Sequence, residues 1–402
     1  MFKYADRISN YAKTAAVVRD LFMKTSDAET ISFGIGAPAN ESLPVEITRE
    51  IVNDVFTRDS RGVEALQYSN PIGLPDLRRE IAKNLLQPKG LTATEDDIAI
   101  IAGGLEAMNI VCQLLINPGD VILVESPTFV QSVEIFELFQ AKCVGIEMDD
   151  EGVVIEDLEK KIKEYNPKFI YVIPSFQNPS GRTMRVERRK AVAELASRYE
   201  VPVLEDDPYK ELRFVGEDIP PIKYFDKTGH VIYANSLSKI YSPGARLGFI
   251  YASRDFLYEV FNVKTATNSQ NNGIAQVICA EFFKRGLYQS HLAEVRKIYL
   301  ERRNVMLECI DSMLPAGTKR VCPEGGLFTW VELPEGYDTT ELLKKADNYK
   351  VSFLPGEGFF VGGKGEGKNC MRMGYGNVTV ENIREGMKRL ASLISDEGPS
   401  CK

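Results

Sequence analysis

Histidine is nearly absent: His230 and His291 are the only two in 402 residues, and they lie far apart in sequence. That scarcity argues against a His-based catalytic triad and against a multi-histidine metal site, so no metal is expected. The seven cysteines, Cys112, Cys143, Cys279, Cys309, Cys322, Cys370 and Cys401, contain no C-x-x-C pair and are odd in number. Reduced thiols in a cytoplasmic protein are expected, rather than a disulfide framework or a zinc site. The opening residues, Met1 to Arg7, lack the apolar stretch of a signal peptide, and no uninterrupted apolar run approaches the length of a membrane span. Internal repeats and low-complexity tracts are also missing. A net charge of -8 argues against a general nucleic-acid binder and against an anionic membrane surface as partner. It leaves room for a local basic pocket.

What is present has the composition of an ordinary globular protein, 44% hydrophobic and 26% charged, with length for more than one domain. Residues Ile8 to Lys24 have mostly helical apolar spacing, and Val45 to Phe56 reads as an amphipathic helix. Between Ile98 and Ala252 apolar strand-like runs alternate with helical patterns. The strands read as Ile98–Ile101, Val121–Val124, Lys142–Ile146, Phe169–Ile173, Val201–Leu204, Val231–Ala234 and Phe249–Ala252. Such alternation predicts an α/β fold, with a mostly parallel sheet covered by helices on both faces. After Arg254 come three helical stretches, the last from about Ser290 to Met313 and rich in Arg and Glu that read as a solvated face. Short strands and helices then predict a smaller α+β domain. The expected division is an N-terminal arm over 1–43, a large domain over 44–285 and a small domain over 286–402. Gly362 to Gly367 has a nucleotide-loop look but lacks the strand–glycine–helix context, and reads as a flexible loop.

Ligands of parallel sheets gather at the carboxyl ends of strands, and five such ends carry polar chemistry. Asn235 to Gly248 follows one strand and holds Ser236, Ser238, Lys239 and Arg246 around a Pro-Gly turn. Hydroxyls and a guanidinium suit a dianionic phosphate, and a desolvated lysine amine forms Schiff bases with carbonyls. A phosphate beside an aldehyde describes pyridoxal phosphate. A basic surface loop is the competing reading. Gly103-Gly104 leads a strand into a helix, which makes either an anion site or a plain tight turn. Asn178, before Pro179, is held extended and offers an amide to a phenolic oxygen, or simply makes an Asn-Pro turn. Glu205-Asp206-Asp207 ends an apolar strand, where one carboxylate would pair with a protonated pyridine nitrogen, ligate a metal or cap a helix. Tyr209 lies three residues beyond Asp206. Phe129 is either a stacking ring or an ordinary core residue.

The ordered series Asn178, Asp206, Tyr209, Lys239 and Arg246, within Pro174 to Gly181, Glu205 to Tyr209 and Ser236 to Gly248, resembles the class I/II aminotransferases of the pyridoxal-phosphate fold-type-I superfamily. The likeness runs from Ile31-Ser32-Phe33 through Leu66-Gln67-Tyr68 to Arg372. It is strongest to the branch with 2-aminoadipate, kynurenine and aromatic aminotransferases. The resemblance implies an amino group moved by a ping-pong mechanism from an L-amino acid to a 2-oxo acid, 2-oxoglutarate being the expected acceptor. It implies that Lys239 forms the Schiff base, Asp206 pairs with the pyridinium nitrogen, Asn178 and Tyr209 bond the ring oxygen, and Phe129 stacks on the ring. Ser236, Ser238, Arg246 and the amides of Gly104 and Leu105 would hold the phosphate. Arg372 would clamp the substrate α-carboxylate, with Gly36 and Asn178 nearby. Tyr68 would reach the phosphate of the neighbouring subunit, which implies a homodimer with shared active sites. Arg19 aligns with a position that reads the substrate side chain in some relatives; a surface ion pair with Asp20 is the other reading. Two departures stand out. Gly104-Leu105-Glu106 replaces a pattern with side-chain phosphate donors, and Phe129 replaces a tyrosine. Two other activities remain compatible with the fold. One is elimination at a C–S bond. The other is a cofactor-binding sensor module, against which stand the acidic charge and the lack of a DNA-binding segment ahead of the arm in this sequence.

Overall fold

The structure, a computed structural model, describes residues 2–5, 7–8, 29–57, 61–362 and 365–399. Arg19 and nearly all of the helix expected over Ile8 to Lys24 lie outside the described residues, as do residues 363 and 364 of the glycine-rich loop.

Strand β1 (Ile31–Ser32) comes first, followed by the helix Val45–Thr57. Eight strands then build one sheet: β2 (Ile98–Ile101), β3 (Val121–Ser126), β4 (Lys142–Asp149), β5 (Gly152–Val153), β6 (Phe169–Val172), β7 (Val203–Asp206), β8 (Val231–Ser236) and β9 (Gly248–Tyr251). Their order is β2-β9-β8-β7-β6-β3-β4-β5. Neighbours from β4 to β8 are parallel. β9 runs against both β8 and β2. The carboxyl ends of β2, β3, β6, β7 and β8 therefore share one edge. Those ends carry Gly104, Phe129, Asn178, Tyr209 and Lys239.

Alternation along each strand sends residues to two separately packed faces. Ile122, Val124, Phe169, Tyr171 and Leu204 belong to the main core, whereas Leu123, Ile170, Val172 and Val203 belong to a second core on the other side. The same alternation sorts the two acids of β7. Glu205 falls on the second face, where it accepts from the backbone N–H of Ile222 (2.7 Å) and Lys223 (2.8 Å) and caps the helix Ile222–Phe225. Asp206 falls with Leu204 and Tyr171 on the main face. The expected strand boundary was Leu204; the strand instead starts at Val203 and includes Glu205 and Asp206. Pro202 has no N–H for the ladder, although its carbonyl still accepts from Ile170 at 2.9 Å.

A smaller antiparallel sheet follows, built from β10 (Lys319–Arg320), β11 (Phe328–Glu332), β13 (Leu354–Pro355) and β14 (Cys370–Gly374) in the order β10-β11-β14-β13. The single strand expected over Val351 to Leu354 is broken. Its first half, β12 (Val351–Ser352), pairs in parallel with β1, and only its second half joins the smaller sheet. The long helix is Leu287–Met313, and two of its arginines are not on a solvated face. Arg302 is buried against Glu41 and the Gly376 carbonyl, and the guanidinium of Arg303 lies 5.2 Å from the Phe214 ring centre.

Candidate active site

Lys239 ends a short 3-10 turn, Leu237–Lys239, that continues directly from β8. The Ser236 hydroxyl caps that turn by accepting from the Ser238 N–H, and the two hydroxyls lie 2.9 Å apart. Both serines are buried. The Lys239 ammonium donates to the Gly36 carbonyl at 2.8 Å. Burial, and then the positive charges of Arg372 and Arg246, push its amine down to about 8. A sizeable unprotonated fraction near neutrality is what a nucleophilic or proton-accepting lysine needs.

Asp206 is buried, and its Oδ2 accepts from the Tyr171 hydroxyl at 2.9 Å. Its Oδ1 has no partner. Burial raises the carboxyl to about 7, the charge of Asp207 adds to the rise, and the Tyr171 hydrogen bond opposes it. A buried carboxylate oxygen without a donor is an expensive feature. A protonated ring nitrogen would supply the missing donor and charge.

The side of the site expected to take a phosphate is made of turns. Gly103 has φ +89°, and a Cβ there would stand 2.8 Å from Arg246 Nη2. At Gly104 an added Cβ would meet only Asp206 Oδ1, at 3.7 Å. Gly104–Leu115 is helical, so the amides of Gly104 and Leu105 lie in a first turn, where N–H groups lack intrahelical partners. Arg246, exposed and held at φ +49°, donates to the Ala102 carbonyl at 2.6 Å. These features form a cradle of amides, hydroxyls and a guanidinium beside an orphaned carboxylate oxygen, and they fit pyridoxal phosphate.

Arg372 rises from the middle of β14, opposite Trp330. It is buried, donates to Asn178 Oδ1 (2.8 Å) and the Gly34 carbonyl (2.5 Å), and keeps a buried Nε without a partner. Burial lowers its pKa to about 10. Its guanidinium lies 4.2 Å from the Phe328 ring centre and 5.5 Å from that of Phe359. Phe328 also packs edge-on to Tyr209, at 5.8 Å between centroids. Burial raises the Tyr209 hydroxyl well above its ordinary range, so it is a proton donor.

Residues 28–390 match the family described as aminotransferase class I and II. The chain belongs to that family. Over 388 residues, 95% of this chain and 92% of the relative, this aminotransferase is 38% identical to aromatic-amino-acid aminotransferase 1 of Thermococcus litoralis. It superposes on the kynurenine aminotransferase of Pyrococcus horikoshii, solved with PMP, with TM-score 0.89 at 36% identity, covering 94% of each chain. A Thermus thermophilus α-aminoadipate aminotransferase, solved with a phosphopyridoxyl-leucine, gives TM-score 0.86 at 29% identity over 95% of this chain and 96% of that one. The protein is therefore a pyridoxal-phosphate-dependent transaminase of fold type I, acting on amino and oxo acids.

Of the residues expected in the site, Asn178, Tyr209, Lys239, Arg372 and Gly36 form one contact network through Phe328, and Asp206 Oδ1 faces Gly104 beside it. Ser236, Ser238, Gly104, Leu105 and Arg246 line the adjoining cradle. Phe129 is half-buried at the start of the helix Val130–Leu138 and packs on the main core. Tyr68 is 86% exposed. Tyr171 and Phe328 escaped the sequence reading. Tyr171 pairs with Leu204, two residues before Asp206, and could have been found from that spacing, whereas Phe328 had no local signal. No cluster of potential metal ligands occurs among the described residues.

Proposed function

We propose that this aminotransferase takes an aromatic or other long-chain L-amino acid as donor and 2-oxoglutarate as acceptor, in two alternating half-reactions. When bound, pyridoxal phosphate supplies the carbonyl that takes up the amino group and the ring that withdraws electrons from the carbon being deprotonated. Arg372 grips the substrate α-carboxylate through a bidentate pair, and Asn178 shares that position. Lys239 Nζ would take the proton from the substrate α-carbon, hold it and give it back within the same half-reaction; acid–base help of this kind contributes roughly 10²–10⁴-fold. Asp206 Oδ1 accepts from the protonated ring nitrogen and keeps it charged. Tyr209 and Asn178 bond the ring oxygen, and Phe129 covers the ring face. Ser236, Ser238, Arg246 and the Gly104 and Leu105 amides hold the phosphate.

The observation that carries this reading is the unpartnered Asp206 Oδ1, at the same sheet edge as a lysine whose amine is held near 8. The choice of donor rests on the relatives, which are named as acting on aromatic amino acids, kynurenine and α-aminoadipate. The homodimer rests on Tyr68, a large aromatic left almost fully exposed next to the site-forming segment, together with exposed Val63 and Leu66. The division at residues 43 and 285 is supported by two sheets confined to residues 98–251 and 319–374. A cytoplasmic location is supported by six free thiols among the described residues.

The test is a panel of amino donors with 2-oxoglutarate as acceptor. Glutamate should appear with aromatic donors and 2-aminoadipate. No transfer from any of them defeats the substrate reading. Release of ammonia and pyruvate without an acceptor would select elimination chemistry instead.

A further inference from the structure

Glu106 stands on the first turn of the Gly104–Leu115 helix, immediately behind the amides assigned to the phosphate. A carboxylate beside a dianion is unfavourable, and more so where water is excluded. This one is held in a network. Its Oε2 accepts from the Ala102 N–H and from Asn271 Nδ2 (3.3 Å), and its Oε1 accepts from Asn268 Nδ2 (2.6 Å). Lys264 reaches to 3.8 Å of Oε1 and donates to Asn271 Oδ1 at 2.6 Å. Lys264 is 0% exposed. Burial lowers its pKa, and Glu106 is the charge that opposes the drop. Ala102 is thus pinned at its N–H by Glu106 and at its carbonyl by Arg246. Its position fixes the Gly103 turn and the direction of the amides that follow.

We propose that Glu106 and Lys264 are positioning residues for the cofactor phosphate, with Glu106 shaping the Ala102–Gly103 turn and Lys264 cancelling the charge that Glu106 would otherwise turn on the phosphate. The proposal rests on the phosphate lying at the Gly104 and Leu105 amides. It explains how a carboxylate is tolerated next to the amides assigned to the phosphate. It also gives a role to a fully buried lysine that the transamination chemistry leaves unused.

Cofactor-free protein is titrated with pyridoxal phosphate, with pyridoxal, and with inorganic phosphate as competitor. Lys264→Met, which leaves the Glu106 charge unopposed, is expected to weaken pyridoxal phosphate and inorganic phosphate about tenfold while leaving pyridoxal unchanged. Adding Glu106→Gln to that variant should restore phosphate affinity to within about threefold of the wild type, because the amide oxygen still accepts from Ala102 without carrying charge. Glu106→Gln alone should bind phosphate as tightly as the wild type or more so. Equal losses for pyridoxal and its phosphate, a double variant no better than Lys264→Met, or a tenfold loss in Glu106→Gln alone would each overturn the proposal. Should Lys264→Met not fold, the Glu106→Gln titration still decides. Unchanged cofactor affinity in Arg246→Ala, or wild type in which phosphate fails to compete, would instead remove the phosphate assignment beneath it.

Discussion

The Tyr171 hydroxyl donates to Asp206 Oδ2 at 2.9 Å and leaves Oδ1 as the open oxygen. The tyrosine thereby fixes the rotamer of the carboxylate and decides which of its oxygens is left without a donor. Tyr171→Phe removes a hydrogen bond to a charged acceptor, a loss of about 1.5–3 kcal/mol. Cofactor affinity should fall roughly 10- to 100-fold, measured by equilibrium titration of the cofactor-free protein, with the fold unchanged by circular dichroism. An unchanged affinity would show that Asp206 orients itself.

The cofactor-free protein should lose stability as pH rises. Asp206 is raised to about 7, Glu205 to about 7 and Glu125 to about 8, in each case first by burial. A raised folded-state pKa means that the folded chain holds its proton more tightly than the unfolded chain. Its contribution is fully present below the ordinary carboxylate range near 4 and is lost as pH climbs through about 7 to 8. Tm of the cofactor-free protein should decline between about pH 5 and pH 8, and Asp206→Asn should flatten part of that slope. A profile that rises over this interval would contradict the burial of these groups.

Strand and helix alternation, and the polar residues at strand ends, were readable because they depend on local periodicity and turn chemistry. The selection of Asp206 from three adjacent acids was not. It follows from pleating, which gives Glu205 to a helix cap on one face and Asp206 to the main-core face beside Tyr171, and a strand expected to end at Leu204 leaves all three acids outside it. Phe328 was invisible for another reason. Its importance comes from contacts to Gly36, Tyr209 and Arg372, which lie hundreds of residues apart or on different sheets, and no spacing rule connects them. The buried arginines of the long helix were misread because an Arg-rich face looks solvated until Glu41 and Phe214 are brought against it.

Gly36 should not tolerate alanine. A Cβ there would stand 2.6 Å from Phe328 Cζ, and the ring lies 4.2 Å from the Arg372 guanidinium. Relieving such overpacking costs about 1–3 kcal/mol and would displace the guanidinium. Gly36→Ala is expected to raise KM for amino and oxo acids about tenfold or more with cofactor affinity intact, and Phe328→Leu in the same chain should recover part of the loss. Steady-state kinetics on the three variants gives the answer; an additive double variant would place the damage elsewhere.

Arg372→Lys keeps a positive charge and loses the planar fork. With one of two charge-assisted bonds gone, kcat/KM should drop roughly 10- to 100-fold for every carboxylate substrate. Binding of pyridoxal phosphate should stay as it was. A parallel fall in cofactor affinity would mean that the arginine supports the large sheet rather than the substrate.

Lys239→Ala should retain the phosphate cradle and lose the base. Turnover should fall at least about 10²–10⁴-fold, and the variant should still bind the cofactor, now releasable by dialysis. Residual transfer close to that of the wild type would remove Lys239 from the reaction.

Gly34 and Gly36 each give a carbonyl to a cation of the site, Gly34 to Arg372 and Gly36 to Lys239. Both acceptors come from the stretch just after β1, far upstream of the sheet that carries the cradle. Without that stretch the lysine would lose its Gly36 acceptor, and the arginine would keep only Asn178. The few residues after β1 thus act as a shared mooring, tying the start of the chain to a lysine at the end of one sheet and to an arginine in the middle of another.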